Sequence, residues 1–320
     1  MLQTLSFLKE IFINHRTRSV FWEITTLCNC KCSMCSLWKD KPAFLPLDEA
    51  KKIVDFMHDN GVIFVQLTGG EPTLYKDIIP LIKYLNSKNF ILNLATNGTT
   101  MTHESAKELR SAGLSHINIS FDYFNSAVQD KIRGLKGEFN KAVSAVNILK
   151  SEGFHVYSSS MINSYNWDKM EKLVSFVNGL GIPFGLCFPY PDFSTTTDNT
   201  SRLSKSQLVH ALTDLLKLQE AGFIFANTRA FIEECLRFAK EEKLKYPCLA
   251  GSSVYGIKGS DFYTCWLLPK QFDASTGWNV KKVDCNKCHL SCYREISIVS
   301  SMLKHHPFSF IKEVSRLLKT

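Results

Sequence analysis

Between residues 19 and 190 of this 320-residue chain, short β-branched runs alternate with segments of helical period. No other feature restricts the fold as strongly. "SVFWEITT" (19–26), "VIFVQLTG" (62–69), "FILNLAT" (90–96), "HINISFD" (116–122), "FHVYSSSM" (154–161) and "PFGLCFP" (183–189) have the length and composition of strands. Each of the first five leads into a helical pattern. In "WDKMEKLVSFVNGLG", Met170, Leu173, Val174, Val177 and Leu180 fall on one helical face, with Gly179 and Gly181 at its end. Residues 47–60 behave the same way, with Ile53, Val54, Phe56 and Met57 inward and Gly61 just past the end. Successive βα units require a parallel sheet with helices outside it. Six units fall short of a closed eight-unit barrel, so the expected fold is α/β, an open, partial barrel. In such folds the chemistry lies at the carboxyl ends of the strands, and suggestive motifs should therefore follow strands.

The first strand is followed directly by "LCNCKCSMC" (27–35), in which Cys28, Cys32 and Cys35 form C-x3-C-x2-C. Thiolate is the ligand type of iron–sulfur clusters. Three on one short loop can hold three corners of a four-iron cluster and leave one iron open. A structural zinc site needs four protein ligands, usually in separated pairs. Recruiting Cys30 as the fourth would ask nearly every side chain of a tight loop to converge, so Cys30 reads as a spare, small hydrophobe beneath the cluster. The setting agrees with bound metal. No apolar stretch approaches the roughly 20 residues of a membrane span, and nothing at the start reads as a cleavable signal. In a reducing cytoplasm, the expected location, eleven cysteines are better explained by metal sites than by disulfides. A net charge of +8 permits anionic partners without demanding them.

The later strand ends carry "TGGEP" (68–72), "TNG" (96–98) and "SFD" (120–122), followed by "DKIRGLKGEF" (130–139). Taken singly each has an ordinary explanation: a Gly-Gly turn before Pro72, an Asn-Gly turn, a helix cap, a solvated arginine. Their order, each at a strand end and behind the cysteine loop, resembles the radical S-adenosylmethionine (radical SAM) superfamily over residues 19–190. The resemblance implies a partial (β/α)6 TIM-like barrel. It also implies a cluster on Cys28, Cys32 and Cys35 whose open iron chelates the amino and carboxylate groups of SAM. Gly69, Gly70, Glu71 and Pro72 would offer the backbone edge that takes the SAM amino group. Asn97, Ser120 and Asp122 would lie near SAM. Arg133 would hold its carboxylate, to which a guanidinium fork is suited.

Cys248, Cys265, Cys285, Cys288 and Cys292 form a second group. A zinc knuckle and an iron–sulfur site share such spacing. Behind a radical SAM core the group resembles the auxiliary iron–sulfur domains called SPASM and, in shorter form, twitch. "GIKGSDFYTC", before Cys265, resembles their cysteine-bearing hairpin with one residue's difference in spacing. Five cysteines rather than seven or eight imply one auxiliary four-iron cluster on four of the five, with Cys248, Cys265, Cys285 and Cys288 as the first choice and Cys292 as substitute. Asp261, in that hairpin, is a weak candidate for proton transfer and equally a turn residue. The expected organisation is an amphipathic helix (1–18), the barrel (19–195), a helical connector (196–245) with a linker at 189–201 and helices at about 204–220 and 228–244, the cysteine domain (246–295), and a terminal amphipathic helix (296–320).

The chemistry implied is reductive cleavage of SAM to methionine and a 5′-deoxyadenosyl radical, which takes a hydrogen atom from an unactivated C–H bond. A low-potential donor such as flavodoxin or ferredoxin would supply the electron. An auxiliary cluster favours net oxidation or bond formation, and the substrate is left open among peptide, lipid, sugar and other small molecules. Cys187, at the end of the sixth strand, points toward this region and reads first as a core cysteine. With the first strand opening at residue 19, no separate peptide-recognition domain is expected ahead of it. The two terminal helices, with Phe310, Ile311, Val314, Leu317 and Leu318 on one face of the second, are expected to dock on their own domain, or else to rest peripherally on an anionic membrane. The competing class is a non-catalytic zinc- or iron–sulfur-binding protein with a nucleic-acid or protein-binding role; on the first reading no nucleic acid is expected.

Overall fold

A computed structural model describes residues 17–188, 203–275, 277, 283, 285, 288–306, 308–311 and 313. The expected amino-terminal helix, the 189–201 linker and the last turns of the carboxy-terminal helix lie outside the described residues. Six parallel strands run in sequence order: β1 (Arg18–Thr25), β2 (Val62–Gly69), β3 (Ile91–Thr96), β4 (His116–Ser120), β5 (His155–Met161) and β6 (Leu186–Cys187). The crossovers are α1 (Leu47–Asp59), α2 (Ile78–Ser87), α3 (His103–Ser111), α4 (Ser126–Arg133) with α5 (Glu138–Ser151), and α6 (Met170–Gly179). The sheet is an open, partial α/β barrel, and every strand proposed from the sequence is present.

The period-two alternation of each strand divides the sheet into two unlike faces. Val20, Trp22, Ile24, Val65, Leu67, Leu92, Leu94, Ile117 and Ile119 point outward and form one core with the helices. The opposite face is polar. Asn93 Nδ2 lies 2.8–2.9 Å from Gln66 Oε1, Asn118 Oδ1 and Tyr157 OH, one residue from each of four neighbouring strands. Burying amides in a sheet costs free energy unless they are paired, and this network pairs the Asn93 amide nitrogen, while Asn93 Oδ1 has no hydrogen-bond partner among the described residues.

The cysteine-rich segment is continuous with the barrel. β7 (Val254–Lys258) adds in parallel to β1, and β8 (Asp261–Tyr263) and β9 (Phe272–Asp273) extend the sheet antiparallel, giving the order β6-β5-β4-β3-β2-β1-β7-β8-β9. Two helices, α7 (Lys205–Glu220) and α8 (Arg229–Ala239), precede it, and α9 (Ser291–His305) follows. α8 stops short of the expected 244. Glu241 turns the chain at φ +59°, and the Glu234 carboxylate then accepts from the Lys245 and Tyr246 amides. The last helix starts earlier than the expected 296, because the buried stripe Tyr293, Ser297, Ile298, Ser301 and Met302 reaches back into the cysteine segment. A buried Arg294–Glu234 ion pair (3.1 Å) fastens α9 to α8, and Glu295 accepts from the Thr228 amide (3.0 Å) and hydroxyl (2.7 Å) at the start of α8. Among the described residues no helix is long and apolar enough to cross a membrane. Phe310 packs against the main core, whereas Phe308 and Ile311 are exposed.

Candidate active site at the carboxyl ends of the strands

The loop after β1 is clamped from two sides. Toward α4, the Lys31 amide donates to Arg133 O (3.0 Å) and the Ser33 amide to Ile132 O (2.9 Å), so the loop satisfies carbonyls that the helix end leaves open. Gly134 caps that helix at φ +63°, and a Cβ there would lie 2.3 Å from Lys31 O. Toward β2, the Gly70 amide donates to Thr25 O (2.8 Å) and the Glu71 amide to Leu27 O (2.7 Å). A Cβ on Gly69 would stand 2.3 Å from Thr25 O, and one on Gly70 2.2 Å from Leu27 O. Both glycines are therefore needed for backbone approach, whatever else binds there. Asn97 Nδ2 donates to Asn29 Oδ1 (2.8 Å), pinning the loop to the end of β3.

Glu71 is the hub of this arrangement. Its buried carboxylate accepts from the Asn97 amide (2.8 Å), Thr96 Oγ1 (2.7 Å), and Thr73 Oγ1 (2.7 Å) and amide (3.2 Å). The side chain is thus spent on joining strand ends, and what this stretch presents to a ligand is backbone. Pro72 opens the short turn Pro72–Leu74 behind it.

Within the loop, Cys30 is fully buried and its thiol donates toward Cys28 and Cys32. That sharing pushes Cys30 far up, and lowers Cys28 and Cys32, the latter to about 6 with help from Arg133; burial pushes Cys35 up to about 11. Among the described residues no three His, Cys, Asp or Glu side chains stand in metal-ligand geometry. The donor set nonetheless fits an iron–sulfur cluster. It is all sulfur, with no carboxylate or imidazole in the loop, and two of the three expected ligands are biased toward thiolate, the ligating form.

Behind Cys32 stands Arg133, the last residue of α4. It is buried rather than solvated, with Nη2 2.7 Å from Asp122 Oδ2 and Nη1 3.8 Å from Cys32 Sγ. Its Nε has no hydrogen-bond partner among the described residues, which leaves one buried donor for an anionic group. Burial pushes the Asp122 carboxyl up and Arg133 opposes that. Asp122 also accepts from the Met161 amide (2.8 Å), and its own amide donates to Gln129 Oε1 (2.9 Å). Gln129 Nε2 in turn donates to Ser120 O (3.2 Å) and Glu138 Oε2 (3.1 Å). Gln129, Glu138 and Asn29 were not singled out by sequence reasoning, since isolated polar residues on helices and loops carry no motif.

The second cysteine group gathers on the concave side of β1. Cys248, Cys265, Cys288 and Cys292 pack with Phe21, Val254 and Tyr293 in one apolar cluster. Burial pushes up the thiols of Cys248, Cys265, Cys288 and Cys292, the last on the first turn of α9. Asp261 sits on β8, between β7 and β9, ion-paired to Lys270 Nζ at 2.5 Å. Cys187 lies 3.6 Å from Ser159 Oγ on the concave face, and burial pushes its thiol to about 12.

A cavity of about 640 Å³ opens between β1, the 36–46 segment and the β7–β8 turn, lined by Glu23, Lys258 and Trp266 among others. None of these three was anticipated. The available signal was an acidic residue inside the otherwise uncharged strand "SVFWEITT", five residues before the first loop cysteine.

Residues 22–177 match the model of the radical SAM superfamily. An AdoMet-dependent heme synthase of Methanosarcina barkeri (strain Fusaro / DSM 804) is 29% identical over 174 residues, 53% of this chain and 50% of the relative. The mycofactocin maturase MftC of Mycolicibacterium smegmatis is 32% identical over 163 residues, 50% of this chain and 41% of the relative. These matches span half or less of each curated relative. The crystal structure of Streptococcus suis SuiB bound to S-adenosylmethionine superimposes with a TM-score of 0.64 at 19% identity, over 80% of this chain and 63% of that one, a likeness of fold. The strand-end motifs, the match across them and the shared architecture agree: residues 22–177 form a radical SAM domain, the domain of a family whose cofactors are a four-iron, four-sulfur cluster and S-adenosylmethionine.

Proposed function

We propose that this chain is a radical SAM enzyme that abstracts a hydrogen atom from a peptide or small-molecule substrate and completes a net oxidation or bond formation. The observation that carries the reading is the all-thiol loop clamped at the carboxyl end of β1, with a buried arginine directly behind Cys32. When bound, the cluster and SAM together supply a 5′-deoxyadenosyl radical. Cys28, Cys32 and Cys35 would hold the cluster. The Gly69–Pro72 backbone, Asn97, Ser120 and the Asp122–Arg133 pair would orient SAM, and the polar concave face would enclose the substrate. Four of the five carboxy-terminal cysteines would hold an auxiliary cluster, with Cys248, Cys265, Cys285 and Cys288 as the first choice and Cys292 as substitute.

The maturase among the relatives supports a peptide substrate, and the heme synthase supports a non-peptide one. A flavodoxin or ferredoxin would deliver the electron. Exposed Phe308 and Ile311 near the carboxy-terminal end are compatible with peripheral contact at a membrane. The test is anaerobic reconstitution with iron and sulfide, reduction, and measurement of 5′-deoxyadenosine. Formation of that product with about eight irons per chain is expected. A colourless protein holding stoichiometric zinc and releasing no 5′-deoxyadenosine refutes the reading.

A further inference from the structure

The Glu23 cavity has the chemistry of a built subsite. Glu23 is 8% exposed, lies on the opposite face of β1 from the core residues Trp22 and Ile24, and lines the cavity. Among the described residues its carboxylate has no hydrogen-bond or ion-pair partner. A buried carboxyl without a donor is costly, and the open space in front of it is where a donor can arrive. Its cross-strand neighbour Lys258 makes no ion pair with it among the described residues and holds Nζ 5.1 Å from the Trp266 ring centroid and 5.5 Å from that of Tyr263.

The walls select the ligand. Glu23, Asp40 and Glu49 face the cavity against the single cation Lys258, so the lining is net acidic. Trp266 gives it a flat apolar side. That indole lies directly over Gly256, where a Cβ would stand 2.8 Å from the ring, so the sequence reserves space for it. The floor is firm, since the Gly259 amide donates to Glu23 O (2.9 Å) and Trp22 Nε1 to Gly259 O (2.9 Å).

We infer that this cavity is the subsite for a substrate amine, with Glu23 accepting hydrogen bonds from a primary ammonium and Trp266 covering the apolar carbon next to it. The inference deepens the proposed function by naming the substrate group, and rests on it only for the link to radical chemistry. Burial and Asp40 push the Glu23 carboxyl up, Lys258 opposes them, and the result is about 7. Thr68, its other cross-strand neighbour, does not titrate. Ammonium binding favours the ionised carboxylate, so affinity rises from pH 6 to pH 8 and binding releases a proton.

The test is calorimetric titration of the full, reconstituted chain under anaerobic conditions with phenethylammonium, 2-phenylethanol and 3-phenylpropanoate. Acetyl-Lys-Phe-amide and acetyl-Gln-Phe-amide form the peptide arm. The ammonium should bind at least about tenfold more tightly than the alcohol or the carboxylate, a step of about 1.4 kcal/mol. Glu23→Gln should remove that preference and Lys258→Met should enlarge it. Tighter binding of the lysine peptide than of the small amine assigns a peptide source, and the reverse order assigns a small molecule. Equal binding of the three small probes and of the two peptides, a preference for the carboxylate, or a preference kept in Glu23→Gln overturns the inference. If Glu23→Gln does not fold, the Lys258→Met titration and the pH dependence of the native chain decide the same question. Amine binding without 5′-deoxyadenosine formation would refute the proposed function alone, and the converse would refute the subsite alone.

Discussion

Gly134→Ala isolates the docking of the cysteine loop from all other contributions. Gly134 holds φ +63°, where an L-residue pays about 1–2 kcal/mol. Its added Cβ would also meet Lys31 O at 2.3 Å. Ordinary contact needs roughly 3.4 Å or more between such atoms, within the range where dispersion is favourable, so the loop must retreat by about 1 Å. Moving it endangers the Lys31–Arg133 and Ser33–Ile132 backbone bonds, each worth about 0.5–1.5 kcal/mol. The expected total is about 2–5 kcal/mol, centred on the loop. Gly137→Ala is the matched control: it pays the same positive-φ cost at +81°, yet its Cβ meets nothing within 4 Å. Both variants should be compared by thermal unfolding and by iron bound after reconstitution. Gly134→Ala should lose more stability than Gly137→Ala and hold less iron at the loop, while the control keeps its full iron. Equal iron and equal stability in the two would refute the view that the end of α4 shapes the cluster loop.

Other expectations follow from the same geometry. Cys28→Ala, Cys32→Ala and Cys35→Ala should each abolish SAM cleavage, whereas Cys30→Ala, which removes a buried thiol lying among the others, should largely retain it by the 5′-deoxyadenosine assay. Arg133→Lys keeps one charge but cannot face Asp122, Cys32 and an anion together. Loss of a charge-assisted bond of about 1.5–3 kcal/mol should weaken SAM binding by roughly one to two decades, read by titration against the reduced cluster's electron paramagnetic resonance signal. Glu138 is fully buried, and desolvation raises its carboxyl from 4.5 to about 7. The unfolded chain therefore gives up this proton first, and stability falls as pH rises from 4.5 to about 7. Glu138→Gln keeps an acceptor for Gln129 and should flatten that fall in denaturant titrations, by about 3 kcal/mol across the window at about 1.4 kcal/mol per pKa unit.

The sequence by itself determined the parallel sheet, its strand order and the placing of chemistry at strand ends. Strand and helix periods are local properties, and a right-handed βα crossover leaves few ways to connect six of them. It also determined the all-thiol loop, because ligand type and spacing are written in nine consecutive residues. The roles of single polar residues were decided by tertiary structure. Glu71 stands in "TGGEP", whose expected part is its backbone edge, and its carboxylate is taken up by Thr96, the Asn97 amide and Thr73. Arg133 reads as either a SAM clamp or a solvated helix residue, and its burial against Asp122 removes the solvated reading. Asp261 is bound to Lys270, while Glu23 lines one cavity with Lys258 and Trp266, two hundred and more residues away in sequence. These outcomes depend on which side chains arrive from distant strands to satisfy or strand a buried charge. That is a property of the assembled interior, where desolvation makes each unpaired group costly, and no window of the chain contains it.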